Sequence, residues 1–113
     1  MCTYVTTQLA VRGSGKAADG WFGLTDATVY FDHPVHADDE HTLNIDFRNP
    51  GRGAGARVAV ELSAQSALDL ARAILTTLAQ VPAGLTGLAD SAELARLAEA
   101  AGVAGLSVQN PGS

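Results

Sequence analysis

The three histidines of the chain, His33, His36 and His41, all lie within one nine-residue stretch. Imidazole is the most common metal ligand in proteins, and three imidazoles, or two with a carboxylate, suit Zn, Fe, Cu or Ni with one position left for water or substrate. Pro34 stiffens the step after His33, and the rings converge if the segment folds back on itself. Asp32 is available as a further ligand or as a carboxylate behind the ligands. The spacing therefore predicts a transition-metal site at His33, His36, His41 and Asp32.

A solvated acidic loop is the alternative interpretation of this segment. Four acidic residues accompany the histidines between Asp32 and His41. In such a loop the imidazoles cap turns and bond backbone carbonyls. The spacing also lacks the helical i, i+4 pair of a His-Glu-x-x-His site, so it matches no named metal signature.

The elements that must position these residues are strands in the first part of the chain. Apolar and β-branched residues alternate with polar ones over residues 2–11, 27–32, 41–47 and 57–62. This period of two predicts four strands of an antiparallel sheet with one buried face. The segment Arg12–Lys16 is predicted to be a turn, with Trp21 and Phe22 anchoring the loop that follows it.

The second part of the chain is predicted to be helical. Ser63 is a good N-cap for a helix that ends near Gln80, before Val81-Pro82. The helix carries one apolar stripe, formed by Ala67, Leu70, Ala71, Ile74, Leu75 and Leu78. Asp90-Ser91-Ala92-Glu93 resembles a capping box and opens a shorter helix that stops at Gly102.

These elements predict an α+β fold, an antiparallel sheet of about four strands with one amphipathic helix packed on one face and a short C-terminal helix. We expect an α+β core domain at residues 1–81. Residues 82–113 are then a C-terminal extension with a short helix and a frayed tail.

The sheet face opposite the apolar one is predicted to be polar in its middle. The residues on that side are Tyr4, Thr6, Tyr30, Asp32, Asn44, Asp46 and Glu61. Asp46 and Glu61 are candidate catalytic residues, because converging acids shift each other's pKa and can act as general acid and base. An ordinary solvent-facing surface and a dimer interface with a polar pocket are the alternatives.

Cys2 is a third catalytic candidate. Removal of Met1 would give Cys2 a free α-amine beside its thiol, which is a nucleophile and base on one residue. The opening Met1-Cys2-Thr3 is similar to that of the choloylglycine-hydrolase group of N-terminal-nucleophile enzymes over these three residues, although the chain is too short for the four-layer fold of that group. The alternative is a small, half-buried strand residue.

Composition excludes several classes of partner. The segment Gly13-Ser14-Gly15-Lys16 is not a phosphate loop. The Walker A motif needs glycine where this chain has Ala10, and Ser or Thr where it has Ala17. We therefore expect no nucleotide cofactor. A net charge of −5 with seven scattered basic residues argues against nucleic acid. We expect no membrane span. We expect a cytoplasmic location, because the only cysteine cannot form an internal disulfide. We also expect a homodimer that covers Leu85, Leu88 and Leu106.

Three groups of residues resemble a family of small bacterial proteins without an assigned activity. They are Met1-Cys2-Thr3-Tyr4; Gly13-Ser14-Gly15-Lys16 with Gly20-Trp21-Phe22; and Asp32-His33-Pro34-Val35-His36 with His41-Thr42-Leu43-Asn44-Ile45-Asp46-Phe47. The resemblance implies that residues past about Gln80 lie outside the shared domain.

Two functions stay open on the sequence. One is a small metalloprotein, including a metal-dependent enzyme of bacterial specialised metabolism, with the histidine segment as its site. The other is a non-catalytic module, dimeric, that binds a small molecule or a protein through a pocket on the polar sheet face.

Overall fold

The computed structural model describes residues 5–34 and 40–102. Cys2, His36 and Leu106, which carry expectations from the sequence, lie outside the described residues. The chain splits into two compact units, Met1–Gln65 and Ser66–Ser113. The first contains an antiparallel sheet and the second contains helices, so the predicted α+β class is confirmed.

The four predicted strands are present in the first unit. They are β1 (Val5–Ala17), β2 (Gly20–Asp32), β3 (Thr42–Arg48) and β4 (Arg57–Leu62), and a 3-10 turn at Pro50–Arg52 lies between the last two. Their order in the sheet is β1-β2-β3-β4, with each strand antiparallel to the next. The sheet is therefore a simple meander, in which neighbours along the chain are neighbours in space.

The register of the sheet separates an apolar face from a polar one. Residues directly opposite each other on antiparallel strands share a face. The apolar face is built of three rows, Val5 with Phe31, Leu43 and Leu62; Thr7 with Val29, Ile45 and Val60; and Leu9 with Ala27, Phe47 and Val58. The intervening residues form the polar face, as the period of two predicts.

The first hairpin differs from the prediction, because Arg12–Lys16 is strand and not turn. β1 continues through this segment and pairs with β2 as far as Ala17 opposite Gly20. A β-bulge between Ala10 and Gly13 puts two residues of β1 opposite one of β2. The bulge bends and twists the ribbon, which lets both strands continue beyond the end of β3. Trp21, predicted to anchor a core, is 69% exposed.

The bent hairpin brings β1 close to β4 across the sheet. A Cβ atom on Gly15 would lie 3.3 Å from Cδ2 of Leu24 and 3.4 Å from Cγ2 of Val58. Gly15 faces Phe22, which is buried, in the ladder. The absence of a side chain at Gly15 is what permits this close approach.

The second unit contains α1 (Ala64–Gln80), α2 (Ala83–Thr86) and α3 (Ser91–Ala100). The predicted long helix is confirmed, and the short α2 lies at the start of the expected C-terminal extension. The α3 cap is confirmed as well, since the Asp90 carboxylate accepts a hydrogen bond from the Glu93 amide at 3.0 Å. Gly102, at φ +70°, ends this helix, because only glycine adopts that conformation readily.

Large apolar side chains of both units are exposed. In the stripe of α1, Leu70 is 44% and Ile74 52% exposed, and Leu85 of α2 reaches 77%. On the apolar sheet face Val5 is 64% exposed. That α1 packs on the apolar sheet face stays a prediction. Across the described residues, every helix is too short or too polar to cross a lipid bilayer.

We expect Gly15→Val to lower the free energy of unfolding by about 1–3 kcal/mol, because the new side chain would overpack against Leu24 and Val58. Gly13→Val is the matched control. It adds the same side chain to the same strand, and nothing lies within 4 Å of its Cβ position. Urea unfolding followed by circular dichroism compares the two variants. Equal effects would contradict the close approach of β1 to β4.

Asp90→Ala should destabilise α3 by about 1 kcal/mol, because the Glu93 amide loses its acceptor. Asp90→Asn keeps an N-cap acceptor and should retain most of the stability. Glu99→Ala removes the same charge at the unfavourable end of the helix dipole and should be neutral or slightly stabilising. Hydrogen exchange of the Glu93 amide measures this hydrogen bond directly. If the amide is still protected from exchange in Asp90→Ala, the bond to Asp90 does not stabilise the first turn of α3.

Candidate functional site

The ends of β2 and β3 bring two of the three histidines together. Asp32 pairs with Thr42 in the ladder, so His33 and His41 follow as the next opposed positions. Their ring centroids are 4.6 Å apart and the ring planes are tilted by 30°. Phe31 stacks on the His41 ring, with centroids 5.9 Å apart. The antiparallel register therefore places both imidazoles at the same end of the two inner strands, β2 and β3.

A hydrogen bond fixes which nitrogen of His33 is available. Nδ1 of His33 lies 3.1 Å from the backbone oxygen of Glu40. A carbonyl oxygen can only accept, so Nδ1 donates, and in the neutral ring the lone pair is on Nε2. Metal-binding histidines are commonly oriented in this way, with the other ring N–H bonded to a carbonyl.

The remaining predicted ligands are less directly placed. The carboxylate of Asp32 accepts a hydrogen bond from the backbone N–H of His33 at 2.7 Å. His36 lies outside the described residues. Among residues 5–34 and 40–102, no three His, Cys, Asp or Glu side chains come together as a metal-binding group.

Asp46 is the central acid on the polar sheet face. Its carboxylate forms an ion pair with Arg57, with Oδ1 2.9 Å from Nη2, and its other oxygen accepts a weak hydrogen bond from the Tyr30 hydroxyl at 3.5 Å. The Asp46 side chain is 16% exposed, whereas that of Arg57 is 50% exposed. The acid therefore joins three strands, β2, β3 and β4.

The surroundings of Tyr30 raise the pKa of its phenol. Partial burial raises the pKa of Tyr30, the negative charge of Asp46 raises that pKa further, and the positive charge of Arg57 acts in the opposite direction. The Tyr30 hydroxyl is a hydrogen-bond donor at neutral pH, as an ordinary tyrosine is. It can hold the Asp46 carboxylate or an acceptor atom of a ligand.

Two uncharged polar side chains on the same face are deeply buried. Thr42 has no exposed surface and Asn44 is 4% exposed. The Thr42 hydroxyl donates to Oδ1 of Asn44 at 2.7 Å. A hydrogen bond between buried polar groups offsets the cost of removing them from water. The middle of the polar face is therefore more than a solvent-facing sheet surface.

Two of the catalytic candidates from the sequence, Asp46 and Glu61, lie on adjacent strands of the polar face. Glu61 lies opposite Asn44 in the ladder, and Asp46 lies opposite Ala59, so the two acids are diagonal neighbours on adjacent strands. Asp46 is bonded to Arg57 and Tyr30. Cys2 lies outside the described residues.

Sequence reasoning missed the arginines of this face. Arg48 and Arg57 are directly opposite each other on β3 and β4. The predicted third strand ended at Phe47, one residue short of Arg48. Extending the alternation of β3 by one residue would have placed Arg48 on the polar side with Asn44 and Asp46.

The comparisons with known proteins give a family but no activity. A family model described as a family of unknown function (DUF6295) matches residues 1–87. No curated protein and no solved structure matches the chain at a significant level. The match covers all four strands, α1 and α2. The resemblance seen in the sequence is confirmed, and the chain belongs to this family of unknown function.

Proposed function

We propose that this protein binds a divalent transition metal through its histidine segment. The observation that supports the proposal is the approach of the His33 and His41 rings to 4.6 Å at the same end of β2 and β3. Two imidazoles bound to one tetrahedral zinc, with Zn–N bonds of about 2.0–2.1 Å, have ring centroids roughly 5 Å apart. The observed centroid separation is close to this value.

The ligand set would consist of His33, His41 and His36. The Nδ1 hydrogen bond to Glu40 leaves Nε2 of His33 as the ligand atom. Asp32 orders the backbone at His33 and stands behind the ligands. Three imidazoles leave one position of a tetrahedral ion for water or substrate, which is the arrangement of catalytic metal sites. A metal-dependent enzyme of specialised metabolism is the form that this chemistry would take.

Protein purified without a histidine tag should contain about one metal ion per chain, measured by elemental analysis after growth and titration with Zn, Fe, Cu and Ni. His33→Ala, His36→Ala and His41→Ala should each lower the bound metal sharply, because a site with three protein ligands loses its geometry with one of them removed. Asp32→Asn should weaken binding about 10–100-fold without abolishing it. Affinity should also fall from about pH 7 to about pH 5, because imidazole must be neutral to bind.

Asp46→Asn is the control for an alternative location of the metal. It alters the polar sheet face and leaves the histidine segment intact, so it should not change the metal content. Metal that survives all three histidine changes and is lost in Asp46→Asn would place the site on the sheet face. A protein that binds none of the four metals would contradict the proposal. The folding stability of each histidine variant should change by less than about 0.5 kcal/mol, because the segment is a polar connection.

A second candidate function is a non-catalytic, homodimeric module that binds a small molecule on the polar sheet face. The Asp46–Arg57 ion pair and the Tyr30 hydroxyl, which lie on this face, favour it. Such a surface has the fixed polar groups that orient a ligand. The exposed leucines of the second unit, Leu85 at 77% and Leu88 at 46%, favour association of two chains.

The dimer predicts a mass of twice 11.6 kDa in solution at micromolar protein, measured by light scattering. Leu85→Glu should give the monomer, since burial of a leucine side chain contributes about 1.5–3 kcal/mol and a buried unpaired charge costs more. Val5→Glu, on the apolar sheet face, is the matched control and should leave the dimer intact. A monomeric mass for the unchanged protein would contradict the dimer. If Val5→Glu gave the monomer and Leu85→Glu left the dimer intact, the interface would lie on the sheet.

A further inference from the structure

We infer that the polar sheet face carries a binding site for a small oxyanion, the carboxylate or phosphate group of a metabolite, between Arg48 and Arg57. This inference rests on the second candidate function, because it names the ligand class of that face. It is independent of metal binding by the histidine segment. The argument depends on the charges, the burial and the pocket at the end of β3 and β4.

Two like charges face each other across the sheet at this point. Arg48 of β3 and Arg57 of β4 are direct cross-strand partners. Like charges directly opposite each other destabilise a sheet. Such a pair costs less when an anion lies between the two guanidinium groups, because the anion neutralises the repulsion.

Only one of the two arginines has an ion-pair partner among the described residues. Arg57 pairs with Asp46, with 2.9 Å between Nη2 and Oδ1. Arg48 forms no ion pair within the described part of the chain. Its cross-strand partner on β2 is Asp26, whose carboxylate accepts a hydrogen bond from the Thr25 hydroxyl and keeps its negative charge. The guanidinium of Arg48 therefore has a carboxylate nearby but makes no ion pair with it.

Arg48 is also partly removed from water. Its Nε atom is buried and has no hydrogen-bond acceptor among the described residues. A buried donor without an acceptor costs free energy. An anion that meets the outer nitrogens of this guanidinium offsets part of that cost, and arginine is the side chain best suited to bidentate binding of carboxylate and phosphate.

A pocket of suitable size lies beside the two arginines. It has a volume of about 230 Å³ and is lined by Arg48, Arg57, Pro50, Gly53, Ala54 and Ala56. The loop that forms its wall is closed by hydrogen bonds from the Asn49 amide to Ala56 at 3.0 Å and from the Asn49 side chain to Gly23 at 2.7 Å. Gly53, at φ +98°, adopts a conformation that favours glycine. The wall is thus held in place before a ligand arrives.

A second pocket continues the site on the other side of Arg48. It has a volume of about 250 Å³ and is lined by Gln8, Asp26, Thr28 and Arg48 together with Leu9, Ala10 and Ala27. Arg48 contributes to both pockets, so an anionic group between the arginines leaves room for the body of a small molecule beside β1 and β2. This mixed lining suits a molecule with both polar and apolar groups, and the Asp26 carboxylate disfavours a second negative charge there.

The test is a nuclear magnetic resonance titration of the full chain with inorganic phosphate, acetate and acetamide, the neutral isostere of acetate. We expect phosphate and acetate to shift the amides of Gly53 and Ala54 and the Nε–H of Arg48, with dissociation constants of about 1–10 mM for such small probes. Acetamide should cause no comparable shifts. Arg48→Gln should weaken the anions at least about tenfold, and Arg48→Lys should recover only part of the loss, because lysine keeps the charge without the planar fork.

Arg12→Gln is the matched control, since it removes the same charge from exposed sequence in β1 and should leave the titration unchanged. The spectrum of each variant reports directly whether it folds. Equal shifts with acetate and acetamide would overturn the oxyanion inference and leave ligand binding by the polar face in place. The inference would also be wrong if the anions caused the same shifts in Arg48→Gln as in the unchanged protein, or if Arg12→Gln reduced the shifts as much as Arg48→Gln. Either result would show a general attraction of anions to positive charge. No shifts with any probe would reject both the site and this binding role of the face.

Discussion

The antiparallel register of the four strands is the constraint on which the remaining structure depends. One ladder, with Val29 opposite Ile45 and Ile45 opposite Val60, sets the face of every residue in the sheet. A shift of one residue would exchange the faces and expose the aliphatic rows to water. The same ladder places His33 beside His41 and Arg48 beside Arg57. Fold and candidate sites are therefore consequences of one pairing pattern.

The two faces of the sheet are unlike in an unexpected way. On the apolar face Val5 and Leu9 are largely exposed, whereas Thr42 and Asn44 on the polar face are buried. A polar group is buried at no net loss only when it is hydrogen-bonded, and the Thr42–Asn44 bond and the Asp46–Arg57 ion pair meet this need. Such fixed polar groups add little to stability compared with aliphatic packing.

The two candidate sites lie at opposite ends of β3. The histidine pair flanks its beginning at Thr42, and the arginine pair lies at its end at Arg48. Tyr30, Asn44 and Asp46 form the polar surface between these ends. Metal binding and anion binding would thus use separate residues on one sheet, and the tests of the two proposals do not depend on each other.

The sequence by itself determined the elements whose signals are local. Alternation over single strands predicted the four strands and the composition of both faces. The capping box at Asp90 predicted the start of α3, where the Glu93 amide bonds the carboxylate. The histidine segment was identified from spacing alone, because all three histidines of the chain lie within nine residues. The family resemblance, carried by strings in the first 47 residues, agrees with the match over residues 1–87.

The tertiary structure decided whatever depends on pairing between distant residues. Arg12–Lys16 has the composition of a turn, yet it continues β1, because the bulge after Ala10 and the close approach of Gly15 to Val58 let the hairpin bend over its neighbours. Arg48 and Arg57 are separated by a glycine-rich loop, and only the register reveals them as opposed charges. Local propensity reports the conformation that a segment prefers. The contacts across the sheet, which depend on residues far away in the chain, decide how long each strand is and which side chains meet.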